Sequence, residues 1–84
     1  LGEVARALAT GDASRALVLV AEHERIYPGG ALVEEREALR IDALLAAGRT
    51  RDAHERASRF RARFPGSLHT ARLARLLASR KVEP

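Results

Sequence analysis

The sequence predicts an all-α chain of antiparallel helix pairs packed in tandem, about five helices in all. Three observations predict it. A segment recurs at an offset of 37 residues, apolar residues recur at helical spacing with no sustained strand alternation, and a Pro-Gly pair closes each unit at the same place. Helices are expected at about 2–10, 13–27, 31–47, 51–64 and 68–80, all within one domain covering residues 1–84. In that domain 1–10 reads as a truncated first helix, 11–28 as the end of one repeat, 29–65 as a second repeat and 66–84 as a C-terminal or capping helix.

The recurrence lays the stretch from Ala7 to Ala16 over that from Leu44 to Ala53, and it carries Tyr27-Pro28-Gly29 onto Phe64-Pro65-Gly66. Gly11 and Gly48 follow apolar helical stretches and can take the left-handed backbone that closes a helix. Asp12 and Thr50 stand just beyond, where a side-chain oxygen can accept from the free amides of the next helix. Ala16 and Ala53 fall where two helices approach near the turn, so small size is required. Ala13, Ala16, Leu17, Val20 and Tyr27 share one helix face, as do Ala53, Ala57, Phe60 and Phe64. Pro28 and Pro65 then stop the second helix of each pair. After Pro65, Ser67 is placed to cap a last helix whose Leu68, Leu73, Leu76 and Leu77 would cover the open end of the second pair.

Gly11-Asp12, Ala16 and Pro28, echoed by Gly48-Arg49, Ala53 and Pro65, form a pattern similar to the tetratricopeptide family. The resemblance covers nearly the whole chain. It departs from the family in its period of 37 against the usual value of about 34, and Glu37 and Leu44 stand near where a first-helix Trp and Tyr would fall. The linker from Pro28 to Glu35 resembles that of bacterial periplasmic repeat proteins and outer-membrane-assembly lipoproteins. The resemblance implies a short right-handed superhelix whose concave side, lined by the first helix of each unit, holds an extended peptide or protein segment. The matching lining positions are Glu35, Asp42, Arg72 and Arg75. Lys and Asn, used by the family's subgroup that clamps a C-terminal carboxylate, are missing from that lining, so that ligand is not expected. A periplasmic or cell-envelope location follows from the same resemblance, with the cytoplasm as the other setting.

Composition agrees with a thin helical core. Apolar residues make up 46% and aromatics 4%, so the core must come from Ala, Leu and Val at close range. Cys is absent, which excludes disulfides and thiolate metal sites and leaves the redox compartment open. No apolar run approaches the roughly 20 residues that span a bilayer. The net charge of +4 is uneven: residues 1–42 carry eight acids against five bases, and residues 43–84 carry three against ten. Fourteen of the fifteen bases are Arg, which together with the Ala content reads as the codon bias of a GC-rich bacterial genome. A chain beginning at Leu1 reads as a processed product or an excised module of a larger protein.

Chemistry-bearing patterns are sparse, and no enzyme activity, cofactor or metal is expected. His23-Glu24 and His54-Glu55 resemble the start of a zinc-binding helix, but that signature needs a second His one turn later, where Tyr27 and Ser58 stand. His69 has no such partner either. Ser14, Ser58, Ser67 and Ser79 lack a recognisable base and orienting group, and no glycine-rich phosphate loop follows a strand. Glu34, Glu35 and Glu37 suit the start of a helix, where the macrodipole favours negative charge. Arg56, Arg59 and Arg63 share a helix face that could meet phosphates, without aromatic interleaving for bases. Three functions remain in order: a protein-binding scaffold, a self-association module acting through Leu1, Val4 and Leu8, and a nucleic-acid contact at the arginine face.

Overall fold

The computed structural model describes residues 1–81, so the end of the expected 66–84 segment lies outside the described residues. Five helices follow in order: α1 (Gly2–Ala9), α2 (Ala13–Ile26), α3 (Val33–Ala46), α4 (Thr50–Arg63) and α5 (Thr70–Ala78). No strand occurs among the described residues. Helix α3 is the middle of the fold, packing against each of the other four, while the backbones of α2 and α4 do not approach closely.

The sequence repeat is a geometric one. Gly11 and Gly48 adopt φ of +80° and +77°. At each bend the glycine amide donates to a carbonyl three residues back, Leu8 at 3.1 Å and Leu45 at 3.0 Å, and the next amide donates five back, to Ala7 and Leu44 at 2.8 Å. This paired bonding satisfies the last carbonyls of α1 and α3 and reverses the chain. Helices α2 and α4 start and end 37 residues apart, and α5 starts 37 after α3. Tyr27 and Phe64 end their helices with the same φ, −126° and −125°. Each stacks on the ring four residues earlier, His23 at 5.1 Å and Phe60 at 5.2 Å.

Two clusters of buried side chains form one continuous core. Val4, Ala7, Ala16, Val20 and Ala43 join α1, α2 and α3, whereas Ala38, Ile41, Leu44, Leu45, Ala53, Ala57, Phe60, Leu73 and Leu77 join α3, α4 and α5. Leu17 packs against both. Ala16 and Ala53 are each 0% exposed. A methylene added there would have to push α2 or α4 off its neighbour.

Several local expectations need correction. Asp12 does cap α2, accepting from the Arg15 amide at 3.1 Å, but Arg49, not Thr50, is the N-cap of α4. The bend at Gly48 leaves one residue before the helix, so Thr50 is already helical. Ser67 accepts from the His69 amide at 3.1 Å inside a turn, and α5 begins only at Thr70. Of the four leucines expected to cover the open end, Leu73 and Leu77 are buried, whereas Leu68, in that turn, is 96% exposed and Leu76 is 40% exposed. Tyr27, just past the end of α2, is 58% exposed. Val4, expected on an open surface, is 2% exposed in the core, because α2 and α3 both close over α1. Leu1 and Leu8 are half-buried against the same cluster.

Candidate functional surfaces

Helices α1, α3 and α5 form one side of the fold, with α3 between the other two. Asp42 on α3 and Arg72 on α5 were expected as exposed lining, and they instead clasp one another. The guanidinium meets the carboxylate through two bonds, Nη1 to Oδ1 at 2.8 Å and Nη2 to Oδ2 at 3.2 Å. This two-pronged geometry is the strong form of an Arg–carboxylate pair, so it ties α5 to α3 rather than offering either charge freely. Glu35 and Arg75 are exposed and make no ion pair among the described residues. Beside the clasp lies a cleft of about 190 Å³ between α3 and α5, lined by Asp42, Leu45, Ala46, Leu76, Ser79 and Arg80. Leu76 is 40% exposed at its edge, and Arg80 donates to the Leu45 carbonyl at 3.1 Å.

A second charged assembly joins α2, α3 and α4, centred on Arg36. This side chain is 2% exposed, yet it is fully engaged. Its Nη1 donates to the Tyr27 carbonyl at 2.8 Å, its Nε donates to Glu37 at 3.0 Å, and Glu24 lies at 3.9 Å. Arg40 bridges Glu24 at 2.9 Å and Glu37 at 3.3 Å, and Arg56 of α4 reaches Glu37 at 3.5 Å. The Glu24 carboxyl is held below its usual range, first by the Arg40 hydrogen bond, then by the Arg40, Arg36 and Arg56 charges, against an opposing effect of burial. His23 is also lowered, by burial first and then by the Arg36 charge and the chain's N-terminal charge. The geometry agrees: a guanidinium only donates, so the 3.5 Å contact between Arg36 Nη1 and His23 Nδ1 requires an unprotonated nitrogen there.

Arg36 had not been singled out from the sequence, although a signal existed. A shift of 37 places it on Leu73, a buried position, so a charged residue there had to be either buried or the site of a broken pattern.

Between α2 and α4 runs an open, polar cleft of about 380 Å³ floored by Arg40 and Leu44 and walled by α4 residues including Asp52, Arg56 and Arg59. Of the expected arginine face, Arg56 is engaged with Glu37 and Arg63 lies over the Phe64 ring at 5.1 Å from its centre. Neighbouring Arg49 is paired with Asp52. The face is therefore partly neutralised and partly stacked. His54 meets the Arg80 carbonyl at 2.7 Å, and His69 lies edge-on to Phe60 at 6.5 Å. Among the described residues no group of three His, Asp or Glu side chains is placed to hold a metal ion, and no helix is long and apolar enough to cross a membrane.

No protein-family model, curated protein or solved structure matches the chain.

Proposed function

We propose that this chain is a tetratricopeptide-type interaction scaffold that holds a peptide or protein segment against the side formed by α1, α3 and α5. The observation that supports this most is the α3–α5 cleft. There, an exposed Leu76 edge sits beside a carboxylate and a guanidinium fixed by their own clasp. Fixed polar groups around an apolar edge lower the ordering cost of binding an extended segment. Glu35 and Arg75, both exposed on the same two helices, supply charge for partner selection. The bacterial envelope setting belongs to the same proposal and rests on the resemblance of the Pro28 to Glu35 linker.

Peptides selected from a random display library on the immobilised chain test this site. Glu35→Lys and Arg75→Glu should each weaken the selected peptides while far-UV circular dichroism stays unchanged. Arg72 is unsuitable for the test, because its reversal would break the clasp to Asp42. Peptides indifferent to both substitutions would reject the site.

Self-association is a second reading, favoured by the first hairpin. A cleft of about 340 Å³ there includes Leu1, Val4, Leu19, Ile26 and Tyr27, and Ile26 and Tyr27 are 49% and 58% exposed. A sedimentation coefficient that rises with concentration in the native chain, and stays flat in Ile26→Glu, would support it. A concentration-independent monomer would dismiss it.

A further inference from the structure

A basic trough crosses the joint between the two hairpins. The α2–α4 cleft, with Leu17 and Leu44 among its lining, adjoins a second cleft of about 220 Å³, since Arg56 and Arg59 line both and Arg63 and Phe64 extend the surface toward the end of α4. We infer that this trough is a docking site for an amphipathic acidic segment of a partner protein, one that lays apolar side chains on Leu17 and Leu44 and sets carboxylates against Arg56 and Arg59. The inference rests on the reading of the chain as a protein-binding scaffold, but it uses a different side from the α3–α5 cleft.

The place of the trough in the fold keeps it open. Helices α2 and α4, whose backbones do not approach closely, stand on either side of the α2–α4 cleft, and α3 supplies its floor through Arg40 and Leu44. A further helix pair stacked by the same repeat, on α1 or on α5, would leave this joint uncovered.

Charge selects the occupant. The two clefts together are lined by five arginines against three carboxylates. Glu24 and Arg36 behind them cancel, so an excess of positive charge remains. It is not evenly covered. Asp52 is taken by Arg49, and Glu37 is shared by Arg36 at 3.0 Å, Arg40 at 3.3 Å and Arg56 at 3.5 Å. Arg56, with its side chain 39% exposed, holds the longest of these contacts, and Arg59 is exposed with no ion pair among the described residues. The Arg40 Nε is buried without an acceptor, a further sign that the cluster holds more donors than acceptors. Guanidinium forks match carboxylates two-pronged, so the uncovered cations favour an acidic guest. A nucleic-acid strand is the poorer fit, because its unbroken negative charge would meet Glu37, Asp52 and Glu55 in the same trough. A protein segment can place carboxylates only where the arginines are uncovered and leave apolar groups for Leu17 and Leu44.

The test titrates a short labelled peptide with a central Glu-Leu-Leu-Glu, and its twin with Gln in both Glu places, into the full chain by fluorescence anisotropy at physiological salt. The acidic peptide is expected to bind about tenfold tighter than its twin. Arg59→Glu should bring it down to the level of the twin, with far-UV circular dichroism unchanged because Arg59 has no ion pair to lose. Arg75→Glu makes the same change in net charge on α5 and should move the affinity by less than about twofold. In a methyl-resolved nuclear magnetic resonance titration, the Leu17 and Leu44 methyls should shift and those of Leu76 should not. Equal affinity of the twins, binding of neither, equal losses in the two variants, or Leu17 methyls that stay still would overturn the site. Dispersal of a self-associated chain by Arg59→Glu would also overturn it, by making a second copy the occupant, as would displacement of the peptide by a lower concentration of single-stranded RNA. Rejection of the α3–α5 cleft through Glu35→Lys and Arg75→Glu would leave these outcomes unchanged, so the two failures are distinguishable.

Discussion

Removing Arg36 should separate shape from charge in the middle of the fold. The side chain is 2% exposed, and it holds the Tyr27 carbonyl at 2.8 Å and Glu37 at 3.0 Å. Arg36→Ala deletes a charge-assisted hydrogen bond worth about 1.5–3 kcal/mol and leaves a void in place of a packed aliphatic stem. Glu37 is not orphaned, since Arg40 and Arg56 remain at 3.3 and 3.5 Å. The expected loss is therefore about 3 kcal/mol, at the lower end for breaking a buried pair. Arg36→Leu should behave differently, because Leu73 occupies the equivalent place in the second unit at 2% exposure. An apolar side chain of similar reach refills the space, and its cost should be about 1 kcal/mol. Urea unfolding followed by far-UV circular dichroism reads the difference. With a slope of about 1 kcal/mol per M for a chain this small, the Leu and Ala midpoints should lie about 2 M apart. An Ala variant as stable as the parent, or a Leu variant below the Ala one, would refute the repeat-based account of this position.

Gly11→Ala and Gly48→Ala should each cost about 1–2 kcal/mol, and by the same amount. Both glycines have positive φ and open space where a Cβ would stand, so the penalty is backbone strain alone, and unequal losses in urea would show that the two bends are not equivalent. Thr70→Val should stabilise by about 1 kcal/mol, because the Thr70 hydroxyl is buried without a partner and the equivalent position in the first unit is Val33, 4% exposed. A lowered melting temperature would show that this hydroxyl is in fact satisfied. Acid should weaken the fold in two stages. His23 and Glu24 both have folded-state values below their ordinary 6.5 and 4.5, so the unfolded chain takes up each proton first. Stability is full above 6.5, falls as His23 titrates in the unfolded state, and falls again below 4.5. Melts across this range should show that His23→Gln removes the first fall and keeps the second; an unchanged profile would clear His23 of the role.

What could be read from the sequence was what is decided within a few residues. The glycine bends, the proline stops and the Asp12 cap are local conformational facts, and each has its expected place in the fold. The offset of 37 is an equally firm signal, because it reappears in φ angles and hydrogen bonds. Side-chain pairing across helices was not legible. Asp42 and Arg72 are 30 residues apart and looked like two exposed charges until α5 was laid beside α3. Val4 looked like an open apolar edge because nothing in α1 says that α3 also covers it. Arg36 is buried by a convergence of α2 and α3 that no window of sequence contains. The cover of the second pair's open end was misread in part, since Leu68 was assigned to it and instead stands in the turn before α5.

The measurement that tests the central claim most directly is the set of nuclear Overhauser contacts made by the α3 side chains in solution. A duplicated hairpin with a shared middle requires Leu39, Ile41, Leu44 and Leu45 together to reach α1, α2, α4 and α5, with no contacts between the backbones of α2 and α4. Contacts from α3 confined to one hairpin, or a closely packed α2–α4 pair, would contradict it.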